Sequence, residues 1–138
     1  MKFLVDANVL SEPTRPRPDP KVVNWLRRNE REITVDPIIL GELRLGIELL
    51  PSSARRRRLE QWFDGGVGRI VCLDWTAETG LRWARLLADM RSTGTAMPVK
   101  DSLIAATALV HRLTVVTRNV ADFRKAQVKV LDPFGKRA

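Results

Sequence analysis

The sequence predicts an α/β fold, a central and mainly parallel sheet covered on both sides by helices in a three-layer α/β/α sandwich. Two observations carry this reading. Short β-branched, apolar runs alternate along the chain with longer segments of helical periodicity, the pattern of a parallel sheet. The 138 residues contain no internal repeat and no linker-like stretch, so one domain spanning 1–138, with a single core, is expected.

In chain order, Phe3-Leu4-Val5 is a short strand that stops at Asp6, and Asn8 to Ser11 follows as a brief helical turn. Glu12 to Pro20 holds Pro13, Pro16, Pro18 and Pro20 with Arg15 and Arg17 between them, a composition that excludes a helix interior and reads as an exposed loop or extended segment. A helix from about Lys21 to Asn29 turns Val22, Trp25 and Leu26 inward. Ile33-Thr34-Val35 is a second strand, and Asp36-Pro37 is a helix-start signal.

In the helix from Ile38 to Leu50, Gly41, Arg44 and Glu48 share the wet side. Glu42 lies opposite, flanked by Ile38, Ile39, Leu45, Gly46 and Leu49. A carboxylate inside an apolar arc is costly to bury unless something compensates its charge. Ser52 to Phe63 is a further helix, and its Arg55–Arg58 run points around the whole cylinder. Gly65, Gly66 and Gly68 mark a turn; Ile70 to Leu73 is a strand with Cys72 expected in the core. Thr76 to about Ser92 reads as a long amphipathic helix with Leu81, Ala84, Leu87 and Ala88 inward, stopped by Gly94 in a left-handed conformation.

The stretch from Met97 to Phe123 organises the rest. Pro98 suits the first turn of a helix, where its missing N–H has no intrahelical partner. Asp101, Ile104, Ala105 and Ala108 share one face of that helix. Leu113 to Thr117 has the composition of a buried central strand, and the oxygen-bearing Thr117, Asn119 and Asp122 follow it. Val128 to Leu131 is a last strand, and Phe134 to Ala138 is a basic tail expected to fray.

Ligands of parallel sheets bind beyond the carboxyl ends of the strands, and the carboxylates Asp6, Glu42, Asp101 and Asp122 are placed to converge there. Each has a structural alternative, such as an Asx turn at Asp6 or a helix-dipole contact at Asp101. Together they cannot all stay ionised without a cation between them. Hard oxygen ligands favour Mg²⁺ or Mn²⁺ over zinc. The single cysteine, Cys72, excludes a cysteine-rich zinc site and a disulfide framework. The single histidine, His111, excludes paired-histidine ribonuclease chemistry and reads as a contact at its helix's C-terminal end.

The net charge of +8 favours polyanionic partners, nucleic acid or an acidic protein. An acidic cage for a divalent ion on so basic a chain points to phosphodiester hydrolysis by a metal-activated water. Arg15, Arg17, Arg55, Arg58 or Arg118 would hold the flanking backbone, and Thr117 and Asn119 would position a water or a phosphate. No apolar run approaches the length of a membrane span, and the N-terminus has no signal-like segment, so a cytoplasmic protein is expected.

VDANVLSE, the Glu42-centred ILGELRLGI, the PVKDSLIAATAL helix and VTRNVADF together resemble the PIN-domain toxins of the VapC and FitB kind. The likeness extends over nearly the whole chain. It implies a PIN-like three-layer fold, a Mg²⁺- or Mn²⁺-dependent ribonuclease, a cognate antitoxin that blocks the cleft and, commonly, a homodimer. The family's acidic residues match Asp6, Glu42, Asp101 and Asp122; its small polar residue matches Asn8, and its strand-end Thr and Asn match Thr117 and Asn119. An antitoxin would plug the cleft with a cationic side chain, with Trp62 and Phe63 as candidates for a docking surface and core packing as their alternative. The competing readings are a non-catalytic nucleic-acid or partner-binding module and a housekeeping nuclease without an antitoxin.

Overall fold

The structure, a computed structural model, describes residues 1–135. Five strands form one sheet: β1 (Phe3–Val5), β2 (Ile33–Val35), β3 (Val71–Cys72), β4 (Thr114–Val116) and β5 (Val130–Leu131). Every pairing is parallel, in the order β3-β2-β1-β4-β5. The helices are α1 (Ala7–Leu10), α2 (Pro20–Arg28), α3 (Pro37–Glu48), α4 (Ala54–Gly65), α5 (Ala77–Ser92), α6 (Val99–His111) and α7 (Val120–Lys125). Parallel crossovers are right-handed, so connections running outward from β1 to β3 lie on one face and those returning through β4 to β5 lie on the other. The expected three-layer architecture follows, and the strand order reverses between β1 and β4.

That reversal positions the site. Val5 is paired with Val116, so Asp6 and Thr117 leave the sheet side by side at its carboxyl edge. The strands reach this register because Leu4, Val5, Val115 and Val116 are fully buried, which leaves their pleat no alternative face. Ile104, Ala105 and Ala108 of α6 pack into the same core, their small side chains allowing close approach.

Local chemistry sets the helix starts. Asp36 caps α3 by accepting from the Ile39 N–H at 2.9 Å, with Pro37 in the first turn, and its other oxygen accepts from the Thr107 hydroxyl of α6 at 2.7 Å. Thr76 and Thr79 form a capping box on α5, and Gly94 beyond that helix has φ 72°. Pro98 is the residue before α6 rather than part of its first turn.

Several inward faces differ from the expected ones. Leu81 is 75% exposed and Ala84 and Ala88 face solvent; α5 instead buries Thr79, Leu86 and Met90. Half-buried Trp83 extends that face, donating its indole N–H to the Ser102 hydroxyl of α6 at 2.9 Å. Hydropathy alone favours alanines over a threonine and a tryptophan whose polar atoms find partners only after folding. On α3 the buried side is Ile39, Leu43 and Ile47, while Leu45 and Leu49 are exposed, so Glu42 lies at the margin of the buried arc. Cys72 is exposed, because the two-residue edge strand β3 is uncovered there.

The proline-rich segment is more ordered than a plain loop. It opens with a 3₁₀ turn at Glu12–Thr14, and buried Glu12 accepts from the Asp19 N–H at 2.7 Å. Trp62 and Phe63 are half-buried against the core. Phe134 is held by its N–H to Asp132 and by Lys21 on its carbonyl, so the tail begins as ordered chain; the rest of it, 136–138, lies outside the described residues.

Replacing Asp36 by Ala removes a helix cap and a buried acceptor together. Urea unfolding should show a loss of about 2–3 kcal/mol, and a loss below about 0.5 kcal/mol would show that water replaces both contacts.

Candidate active site at the carboxyl edge of the sheet

Asp6 is the most constrained of the acidic side chains. It ends β1, caps α1 by accepting from the Ala7 N–H at 2.8 Å, and is 2% exposed. The Thr117 hydroxyl donates to its second oxygen at 2.8 Å, and the Asn8 amide reaches that oxygen at 3.4 Å. Thr117 in turn accepts from the Asn119 N–H at 3.0 Å, while Asn8 accepts from the Arg118 N–H at 3.1 Å. Asn8 and Thr117 are thus spent on orienting Asp6 and on closing the loop after β4. Asn119 contributes its backbone N–H to that loop.

Burial above all, then the charges of Glu42 and Asp101, push the Asp6 carboxyl up from 3.8 to about 6. The hydrogen bonds from Thr117 and Ala7 work the other way. Asp101, delivered by the first turn of α6, is 3% exposed. Burial raises it, Lys100 lowers it, and Asp122 and Glu42 raise it. The four carboxylates therefore share one electrostatic neighbourhood: Asp6 feels Glu42 and Asp101, and Asp101 feels Asp122 ahead of Glu42.

Two lysines already neutralise part of this charge. Lys100, 51% exposed, places its ammonium 2.7 Å from Glu42 Oε2, and Lys125 lies 3.6 Å from Asp122. The Lys100 pKa is raised, first by the Glu42 hydrogen bond and then, after an opposing contribution from burial, by the charges of Glu42, Asp101 and Asp6. Glu42 Oε1 is buried with no hydrogen-bond partner. Among the described residues no three acidic, histidine or cysteine side chains are drawn together at metal-holding distance, since Glu42 and Asp122 point at lysines.

The PIN domain family matches residues 3–129 of this chain. The chain belongs to the PIN-domain family. Toxin FitB of Neisseria gonorrhoeae is 34% identical, over 96% of this chain and 98% of that one. VapC ribonuclease Y4jK of Sinorhizobium fredii is 30% identical, over 96% and 97% respectively. The crystal structure of FitAcB from Neisseria gonorrhoeae superposes with a TM-score of 0.87 at 33% identity, covering 96% of this chain and 98% of that one.

Within this PIN domain, sequence reasoning overlooked Lys100. It stands next to Asp101 in the PVKD motif, and that adjacency was the only available signal. Reading Thr117 as a contact for water or phosphate also missed its role in tying β4 to Asp6, which depends on register between strands over a hundred residues apart in sequence.

The Asp6 shift has a defined sign. Folded chains keep the Asp6 proton up to about pH 6, whereas unfolded chains release it near 3.8, so this group's stabilisation is complete below that window and is lost as pH rises through it. In EDTA, the stability gained by Asp6→Asn should grow by about 2 kcal/mol between pH 4 and 6.5. A gain independent of pH in urea titrations would mean that Asp6 ionises like an exposed carboxyl.

Proposed function

We propose that this PIN domain is a divalent-metal-dependent endoribonuclease and the toxin of a toxin–antitoxin pair, working in the cytoplasm as a single 1–138 domain. The observation that carries this is the buried Asp6 carboxylate at the β1–β4 reversal, coupled to Glu42 and Asp101. Relatives of closely similar length carry ribonuclease and toxin names, which supports the assignment.

The residues present suit a divalent ion. All the donors are oxygens, Asp6 and Asp101 are held by burial, and Glu42 Oε1 is an orphaned buried acceptor that a hard cation would satisfy. Asp6, Glu42 and Asp101 would hold Mg²⁺ or Mn²⁺, with Asp122 at the margin. When bound, the ion supplies Lewis-acid polarisation of the phosphate and a lowered pKa for an attacking water. Thr117 and Asn8 hold the Asp6 carboxylate in place through its second oxygen. Lys100 neutralises Glu42 and stands ready to move, because half its surface is in solvent.

The antitoxin assignment is supported by the relative named Toxin FitB and by the fold shared with FitAcB. A cavity of about 360 Å³ between α2, α4 and the proline-rich segment, lined by Leu10, Pro13, Leu26, Trp62, Val67 and Ile70, suits an apolar segment of such a partner. A cationic side chain from that partner would compete for the acidic cleft as Lys100 does, and the protein is proposed to be a homodimer.

The test is cleavage of RNA in Mg²⁺ or Mn²⁺ by toxin freed of antitoxin. Asp6→Asn and Asp101→Asn should each lose at least about 100-fold in rate, and Thr117→Val about 10- to 100-fold, as for a partner that orients a ligand. Full activity in both carboxylate variants would remove the metal-cage mechanism.

Lys100 provides a separate check. Lys100→Met relieves a competing cation and should tighten Mn²⁺ binding by up to about fivefold, the discounted worth of a half-exposed pair. Calorimetric titration reads this directly, and weaker binding would show that Lys100 supports the acidic cluster.

A further inference from the structure

We infer that Arg118, held over the ring of Phe134, is the first RNA-backbone contact outside the acidic cluster, and that it directs the strand toward a basic cavity beside α2. This rests on the nuclease reading above and names where its substrate runs.

An RNA whose scissile phosphate enters a cluster of four carboxylates must keep its neighbouring phosphates on cations. Several basic side chains near the candidate surfaces are already committed. Arg15 lies 3.8 Å from Glu12, Arg44 and Arg56 bridge Glu48 and Glu60, Lys100 holds Glu42, and Lys125 holds Asp122. Arg55 and Arg58 line a separate cavity with Thr14, Pro16 and Trp62 on the α4 side.

Arg118 differs from all of these. It follows Thr117, the residue bonded to Asp6, and its own N–H is fixed by Asn8, so its backbone is part of the site's framework. Its guanidinium lies 3.8 Å from the centroid of the Phe134 ring, and among the described residues no carboxylate pairs with it. Stacking of this kind holds the planar cation without consuming its N–H donors, which stay available to phosphate.

The platform is itself anchored. Phe134 donates its N–H to Asp132 at 2.9 Å, and Lys21 donates to the Phe134 carbonyl at 3.0 Å. These residues follow β5, whose carboxyl end adjoins that of β4, so the platform shares the sheet edge with Asp6. Lys21 then begins the wall of a cavity of about 640 Å³, with Asn24, Arg27 and Arg28 of α2 facing Leu131 and Asp132. The path from the acidic cluster over Arg118 and Phe134 into this cavity carries four cations against two carboxylates, Asp132 and the Asp19 that lies 4.0 Å from Lys21, the pattern of a polyanion track with an aromatic platform.

Fluorescence anisotropy with a short, labelled, 2′-O-methyl single-stranded RNA, which resists cleavage, tests this on the full chain. Arg118→Ala should weaken binding about five- to tenfold and reduce the slope of log K against log salt by about 0.7. Arg118→Lys should keep the wild-type slope. Phe134→Ala should weaken binding while leaving the slope unchanged, because it frees the guanidinium without removing charge. A stack that merely fastened the C-terminal segment would lower the melting temperature in Arg118→Ala and move neither affinity nor slope, and that result overturns the inference. Wild-type protein that cleaves unmodified RNA while Arg118→Ala binds like wild type defeats this inference alone. Wild-type protein that neither binds nor cleaves RNA in Mn²⁺ defeats the nuclease reading as well.

Discussion

The Thr117 hydroxyl donating to Asp6 joins the two strands between which the sheet reverses direction, and the site depends on that bond. It exists because Val5 and Val116 are register partners, so the next residue on each strand emerges at the same level. A slip of one residue in either strand would turn the Asp6 side chain to the opposite face and bury the wrong set of valines. Fold stability and site geometry are therefore specified by the same contacts. The flanking helices then add their acids from fixed directions, Glu42 from the second turn of α3 and Asp101 from the first turn of α6.

Concentrated negative charge at this edge opposes folding, and the structure shows how the cost is limited. Asp6 and Asp101 are buried and raised in pKa, so protonation relieves them in acid. Glu42 and Asp122 are answered by lysines on α6 and α7. On the proposed nuclease reading the arrangement suits a site that exchanges one cation for another, since ammonium groups on exposed stems are free to leave. The same logic explains a net charge of +8 on a chain with an acidic centre. Positive charge outside the cleft attracts a polyanion that the cleft by itself would repel.

Much of the architecture was legible from the sequence. Alternating strands and helices, the Asp36-Pro37 helix start, the small-residue face of α6 and the left-handed Gly94 are local signals, and the structure contains each of them. Faces decided by tertiary partners were not legible. Leu81 was expected inside and is exposed, whereas Trp83 turns inward because Ser102 accepts its indole N–H. Cys72 was expected in the core and lies on an uncovered edge strand, since nothing in a short apolar run tells an edge from a centre.

For the site, sequence alone determined the inventory: three carboxylates at or near element ends and Glu42 within a helix, the polar residues after two strands, and a strongly basic remainder, all consequences of residue type and local periodicity. The folded chain decided which of these meet. Strand order brought Asp6 to Thr117, helix packing brought Lys100 onto Glu42, and the end of β5 brought Phe134 beneath Arg118. Each of those contacts joins residues far apart along the chain. Composition and spacing carry no information about distance across a core, and packing does.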